Sequence, residues 1–168
     1  MERPTSVLVL GVLNLLFAGL GLLGMAGWVF VLLGMNTSNP VYSLIQLSAP
    51  YRMFLFISVP LGFLFTGFLA LGGAGLLLSR PWGRTSTLLY AVCALLMGLV
   101  GAAVSSLHLV APLLEQASNN PGPQTIAAAA GAVGGLAGSC LGLLYPVVLL
   151  RFMFREDVAE YFAWVKDR

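Results

Sequence analysis

From residue 4 to residue 51 the chain carries no Asp, Glu, Lys or Arg, and the same holds for 53–79, 85–114 and 116–150. Four uncharged runs of this length cannot form the surface of a water-soluble fold, where roughly 25% of residues are charged. Here the charged fraction is 8% against 59% hydrophobic residues, and the mean hydropathy is +0.95. Such values exclude a soluble enzyme, a nucleic-acid binder and a disordered tail, and point to an integral membrane protein whose first partner is the lipid bilayer. The net charge of +2 suggests no polyanionic partner.

Trimming the polar ends of the runs leaves spans of about 6–35, 53–79, 85–111 and 126–150, each longer than the ~20 apolar residues that cross a hydrocarbon core. They lack the polar/apolar alternation of barrel strands, and a backbone in lipid must satisfy its own hydrogen bonds, so they are expected to be helical. The expected fold is all-α. It is a single membrane domain over 1–168, a four-transmembrane-helix bundle with short loops and a C-terminal amphipathic helix. Gly24-Met25-Ala26 imitates a leader cleavage site, but the apolar stretch runs on to Gly34. That exceeds the roughly 7–15-residue apolar region of a secretory signal, so the first run is read as a retained span.

Seven of the eight basic residues, Arg3, Arg80, Arg84, Arg151, Arg155, Lys166 and Arg168, lie at the N-terminus, in the turn between spans two and three, and in the tail, with Arg52 alone on the other side. The positive-inside rule then puts both termini and this turn in the cytoplasm. Trp82, Tyr145, Phe152, Phe154 and Trp164 are expected as aromatic anchors at the inner boundary, and Tyr42 and Tyr51 at the outer one.

The turn Arg80-Pro81-Trp82-Gly83-Arg84 is short enough only to join two antiparallel neighbours, with Pro81 read as stopping one helix and Trp82 placed at headgroup level. Arg80 and Arg84 read either as a clamp for lipid phosphates or as plain topology determinants, as do Arg151 and Arg155 at the start of the tail. Together with the preceding Gly72-Gly73-Ala74-Gly75-Leu76-Leu77-Leu78, the turn resembles one found in many uncharacterised bacterial four-helix membrane proteins. The resemblance covers this hairpin only. It implies no activity and carries no functional residue onto this chain; a bacterial inner membrane is the expected location.

In the first external loop Asn39 can cap a short interfacial helix with Pro40 at its first position, although an irregular loop fits equally well. Asn36-Thr37-Ser38 has the form of a glycosylation acceptor and is read as chance, because it abuts the membrane. The second external loop, 112–125, holds the breaker cluster Asn119-Asn120-Pro121-Gly122-Pro123 and is expected to be exposed. The tail, 151–168, groups Phe154, Val158, Tyr161, Phe162 and Val165 at helical spacing, and reads as an amphipathic helix continuing from the fourth span, at the interface or against a partner.

Groups for bond-making chemistry are scarce. No Asp, Glu, Lys or Arg occupies the middle of any span, which weighs against a pump or ion-coupled transporter. His108, the single histidine, has Ser105 and Ser106 a turn before it and Glu115 two turns after it, but no set of three or four ligands accompanies it, so no metal and no cofactor are expected. Cys93 and Cys140 read as apolar packers, and no acid–His–Ser set can be assembled. Asn14 is the strongly polar mid-helix side chain of span one, expected to hydrogen-bond across helices. His108 and Asn14 are thus the candidate polar positions.

The strongest positive signal is small residues. Ala127, Gly131, Gly135 and Ser139 form one row of span four, and Ala130, Gly134, Gly138 and Gly142 form the next. Such a face admits close helix approach, either by the glycine-rich spans one and two of the same chain or by another subunit. The expected function is a non-catalytic membrane subunit or scaffold that packs through this face, Gly131, Gly134, Gly135, Gly138 and Gly142, into a homo-oligomer or a complex with other membrane subunits. The alternative is a small channel or carrier for neutral or apolar solutes. An enzyme using His108 or a cysteine comes last.

Overall fold

The computed structural model describes residues 4–32 and 48–166. Among them there is no strand, and helix accounts for nearly all. In chain order the elements are α1 (Thr5–Leu32), α2 (Ala49–Leu77), α3 (Pro81–Ser105), a single π turn (Ser106–Val110), α4 (Ala111–Asn119), α5 (Pro123–Gly142), α6 (Leu144–Met153) and α7 (Glu156–Lys166). α3 runs through the π turn into α4, and α5 is separated from α6 by Leu143 alone. Four segments are therefore long and apolar enough to cross a membrane: Thr5–Gly27, Ala49–Leu77, Pro81–Asn119 and Pro123–Met153. The protein is a multi-pass, all-α membrane bundle. The loop helix expected at Asn39 and Pro40, the Asn36 acceptor and Tyr42 lie outside the described residues.

Helix ends follow local chemistry. α2 ends on a left-handed residue, Ser79 at φ 53°, with the Arg80 N–H on the Gly75 carbonyl at 2.8 Å and the Ser79 N–H on Leu76 at 3.2 Å. These two bonds form a Schellman closure, usually built on glycine. Pro81 does not stop α2, as its ring suggested. It occupies the first position of α3, where its missing N–H costs nothing. The resulting α2–α3 hairpin is tight: a Cβ on Gly75 or Gly83 would fall on the other's backbone. α1 crosses α2 just as closely, since a Cβ on Gly73 would lie 2.9 Å from the Gly11 carbonyl oxygen.

The main core gathers at the basic end of the bundle. Val7 and Leu10 of α1, Leu76 of α2, Leu149 and Met153 of α6, and Val158, Tyr161 and Phe162 of α7 are all buried in it. The tail is thus corrected in one respect. α7 does not continue the fourth span; the chain breaks at Phe154-Arg155, and α7 folds back so that its apolar face seals this end. A smaller cluster of Tyr51 and Leu55, backed by Phe54, Val104 and Leu109, closes the opposite end. Tyr51 is therefore a packed residue, only 4% exposed.

The second external loop is also corrected. Helix continues through Pro112 to Asn119, leaving 120–122 as the connection. The π turn explains this: the Ala111 N–H reaches back to the Ser106 carbonyl, and the wider ring relieves the clash a proline imposes one turn behind itself. α2 stays helical through Pro60. In span four the helix is interrupted at Leu143, three residues before Pro146, whose missing N–H leaves the Gly142 carbonyl without its helical donor.

Candidate functional site

The polar positions behave very differently. Asn14 is fully buried; its Nδ2 donates to Thr87 Oγ1 at 3.1 Å, and the Tyr145 hydroxyl donates to its Oδ1. The Thr87 hydroxyl donates in turn to the Gly83 carbonyl at 2.8 Å. One side chain of α1 is thereby tied to α3 and α6, and α2 lies against the same point, because a Cβ on Gly72 would sit 2.5 Å from Thr87 Oγ1. All four spans meet around a short polar chain whose members satisfy one another, and no apolar medium leaves such groups unpaired cheaply. Tyr145, expected as an interfacial anchor, is instead a member of this chain, with the Phe17 ring tilted at 48° against its own at 4.3 Å between centroids.

His108 projects from the π turn and is exposed, as is Glu115. Both line an open recess of about 740 Å³, with Ser48, Pro50, Pro112 and Gln116, at the end opposite the termini. Among the described residues no group of three or more His, Cys, Asp or Glu side chains is placed to hold a metal. Cys93 is half-buried and Cys140 exposed, and both are free thiols; Cys140 is not the interior packer its depth in span four suggested.

The basic residues separate by role. Arg84 points inward along the bundle end, and its Nε and Nη2 donate to the Met153 carbonyl at 3.2 and 3.1 Å. It caps the C-terminus of α6 and joins α3 to the end of span four, a role that no spacing in the sequence announces. Trp82 is 43% exposed, with its ring edge against Gly75. Arg80 and Arg151 face outward, and Arg155 pairs with Asp157 at 3.1 Å.

The glycine face of span four is corrected most. Spans one and two do not fill it. Among the described residues, Cβ atoms on Gly131, Gly134, Gly135, Gly138 and Gly142 meet no atom within 4 Å, and Ala127, Ala130 and Ser139 are likewise exposed. α5 instead uses its opposite side, with Ala129 buried and Leu136 half-buried, and lies against α3, the π turn and α4. The small-residue rows point away from the rest of the described residues. Other outward surfaces are built from large groups, such as Leu16, Leu20 and Leu23 on α1, Phe56 and Ile57 on α2, and Leu96 and Leu99 on α3.

No protein-family model matches this chain, and comparisons with curated proteins and with solved structures find no match.

Proposed function

We propose that the protein is a non-catalytic membrane subunit that assembles, with further copies of itself or with other membrane subunits, through the outward glycine face of α5. One observation carries this reading: among the described residues nothing stands over the exposed Gly131, Gly134, Gly135, Gly138 and Gly142. Hydrocarbon chains gain more contact from Leu or Phe than from a flat strip of glycine, whereas a second helix gains close backbone approach from the strip. Elsewhere, open glycines such as Gly19, Gly24 and Gly27 of α1 are interspersed with exposed Leu16, Leu20 and Leu23, so two adjacent small-residue rows without a large side chain are a local departure. Its rows are short of any polar group except Ser139, whose hydroxyl is bound to the Gly135 carbonyl at 2.9 Å.

The double substitution Gly134→Leu/Gly138→Leu is expected to leave a folded monomer while the larger particle disappears on a sizing column in mild detergent. An unchanged particle would overturn the assignment of assembly to this face. Solute flux through the wild-type chain in liposomes would support the channel reading instead.

The basic asymmetry supports an orientation with both termini cytoplasmic, and the resemblance of the 80–84 turn to that of bacterial four-helix membrane proteins supports a bacterial inner membrane. A cysteine introduced at Ser118 of a Cys93→Ala/Cys140→Ala chain should then react with an impermeant thiol reagent from outside, and one at Ser86 should not; the reverse pattern overturns the topology.

A further inference from the structure

Where α6 gives way to α7, the chain leaves a notch of about 720 Å³ lined by Val147, Leu150, Arg151, Phe152, Phe154 and Arg155. We propose that this notch binds an anionic phospholipid, with Arg151 as the principal ligand of its phosphate. The proposal rests on the membrane location of the chain and is independent of what covers the glycine face.

The two halves of the notch match the two halves of a lipid. Val147, Phe154 and Arg151 fall on one side of α6 at helical spacing, so an acyl chain can lie along Val147 and the 68%-exposed Phe154 while the guanidinium stands at the basic end of the span. Arg151 has no hydrogen-bond or ion-pair partner among the described residues, and its planar fork suits two phosphate oxygens at once. Arg155 gives Nε and Nη2 to Asp157 at 3.1 and 3.2 Å, and keeps its remaining N–H groups for a second contact.

A helix C-terminus ordinarily repels an anion, but here that end is already answered. Arg84 occupies the Met153 carbonyl, and the Phe154 and Arg155 N–H groups occupy those of Leu150 and Phe152. Within the notch Arg155 is paired with Asp157, so Arg151 is the cation left to favour an anionic over a zwitterionic headgroup. A soluble phosphate would leave the apolar wall of Val147 and Phe154 unused.

The full chain, purified in detergent and stripped of lipid, is titrated with phosphatidylglycerol, phosphatidylcholine or inorganic phosphate, and bound molecules are counted by native mass spectrometry. Phosphatidylglycerol should bind about fivefold or more tightly than phosphatidylcholine, whose quaternary ammonium offsets the phosphate charge that Arg151 meets. Arg151→Ala should abolish that preference and Arg151→Lys retain part of it, whereas Arg80→Ala, at the same end but outside the notch, should leave it within about twofold. Equal binding of the two lipids by the wild-type chain, an equal loss in the Arg80 and Arg151 variants, or phosphate binding as tightly as the lipid would each overturn the proposal. Arg151 is exposed, so its variants fold, and the wild-type preference tests the idea without any variant.

Discussion

Gly75 and Gly138 are both glycines inside apolar helices, and their surroundings are opposite. A Cβ on Gly75 would lie 2.7 Å from the Trp82 ring and still closer to the backbone of Gly83, whereas one on Gly138 would meet nothing within 4 Å. Gly11, Gly72, Gly73 and Gly83 share the first condition; the span-four glycines share the second. The comparison teaches that a small-residue row marks where a helix can be approached without saying what approaches it. At Gly11, Gly72, Gly73, Gly75 and Gly83 the approach is internal and already made, while Gly19, Gly24, Gly27 and Gly67 stand open singly among larger side chains. In span four the same chemistry is left facing outward.

Gly83→Leu is the strongest way to break this comparison. Backbone rather than a movable side chain stands in its path, so the cost should reach or exceed the upper end of the roughly 1–3 kcal/mol typical of overpacking. Folded monomer should be lost in a detergent thermal-unfolding assay. The Gly134→Leu/Gly138→Leu chain, unfolded in the same assay as a monomer, should stay within about 0.5 kcal/mol of wild type, as surface substitutions do. Equal destabilisation of the two would mean that both faces are internal.

A smaller effect sharpens the picture of how the inner half of span four is held. Asn14→Leu and Tyr145→Phe should each destabilise the monomer, and their double-mutant cycle should show a coupling of about 1 kcal/mol, typical of hydrogen bonds between membrane helices. Additive effects would show that Asn14 and Tyr145 do not hold each other. The smallest effect is a gain. Ser79→Gly removes the cost of a left-handed non-glycine residue and should stabilise the hairpin by about 1 kcal/mol; a loss in the same unfolding assay would contradict the Schellman closure.

Much of this was legible in the residues, for particular reasons. The hairpin at Arg80-Pro81-Trp82-Gly83-Arg84 was readable because two charges and a proline interrupt apolar runs. Asn14 stood out because a lone amide in hydrocarbon needs a partner, but Thr87 and Tyr145 lie 73 and 131 residues away and carry no matching pattern. Arg84 looked like any other topology arginine; its reach to the Met153 carbonyl depends on how α3 packs against α6. The loop expected at 112–125 is mostly helix, because a π turn lets the helix absorb Pro112. The apolar stripe of the tail was correct, yet its partner was the bundle's own basic end.

The sequence by itself determined that four helices cross a bilayer, because charge cannot enter hydrocarbon and a backbone there must close its own hydrogen bonds. Which glycine faces are filled, where α7 lies and which arginine turns inward were decided only by tertiary structure. The reason is that hydropathy separates water from everything apolar. To an apolar side chain, lipid and protein interior are nearly the same medium, so a pattern that reports escape from water cannot say which of the two a helix face has found.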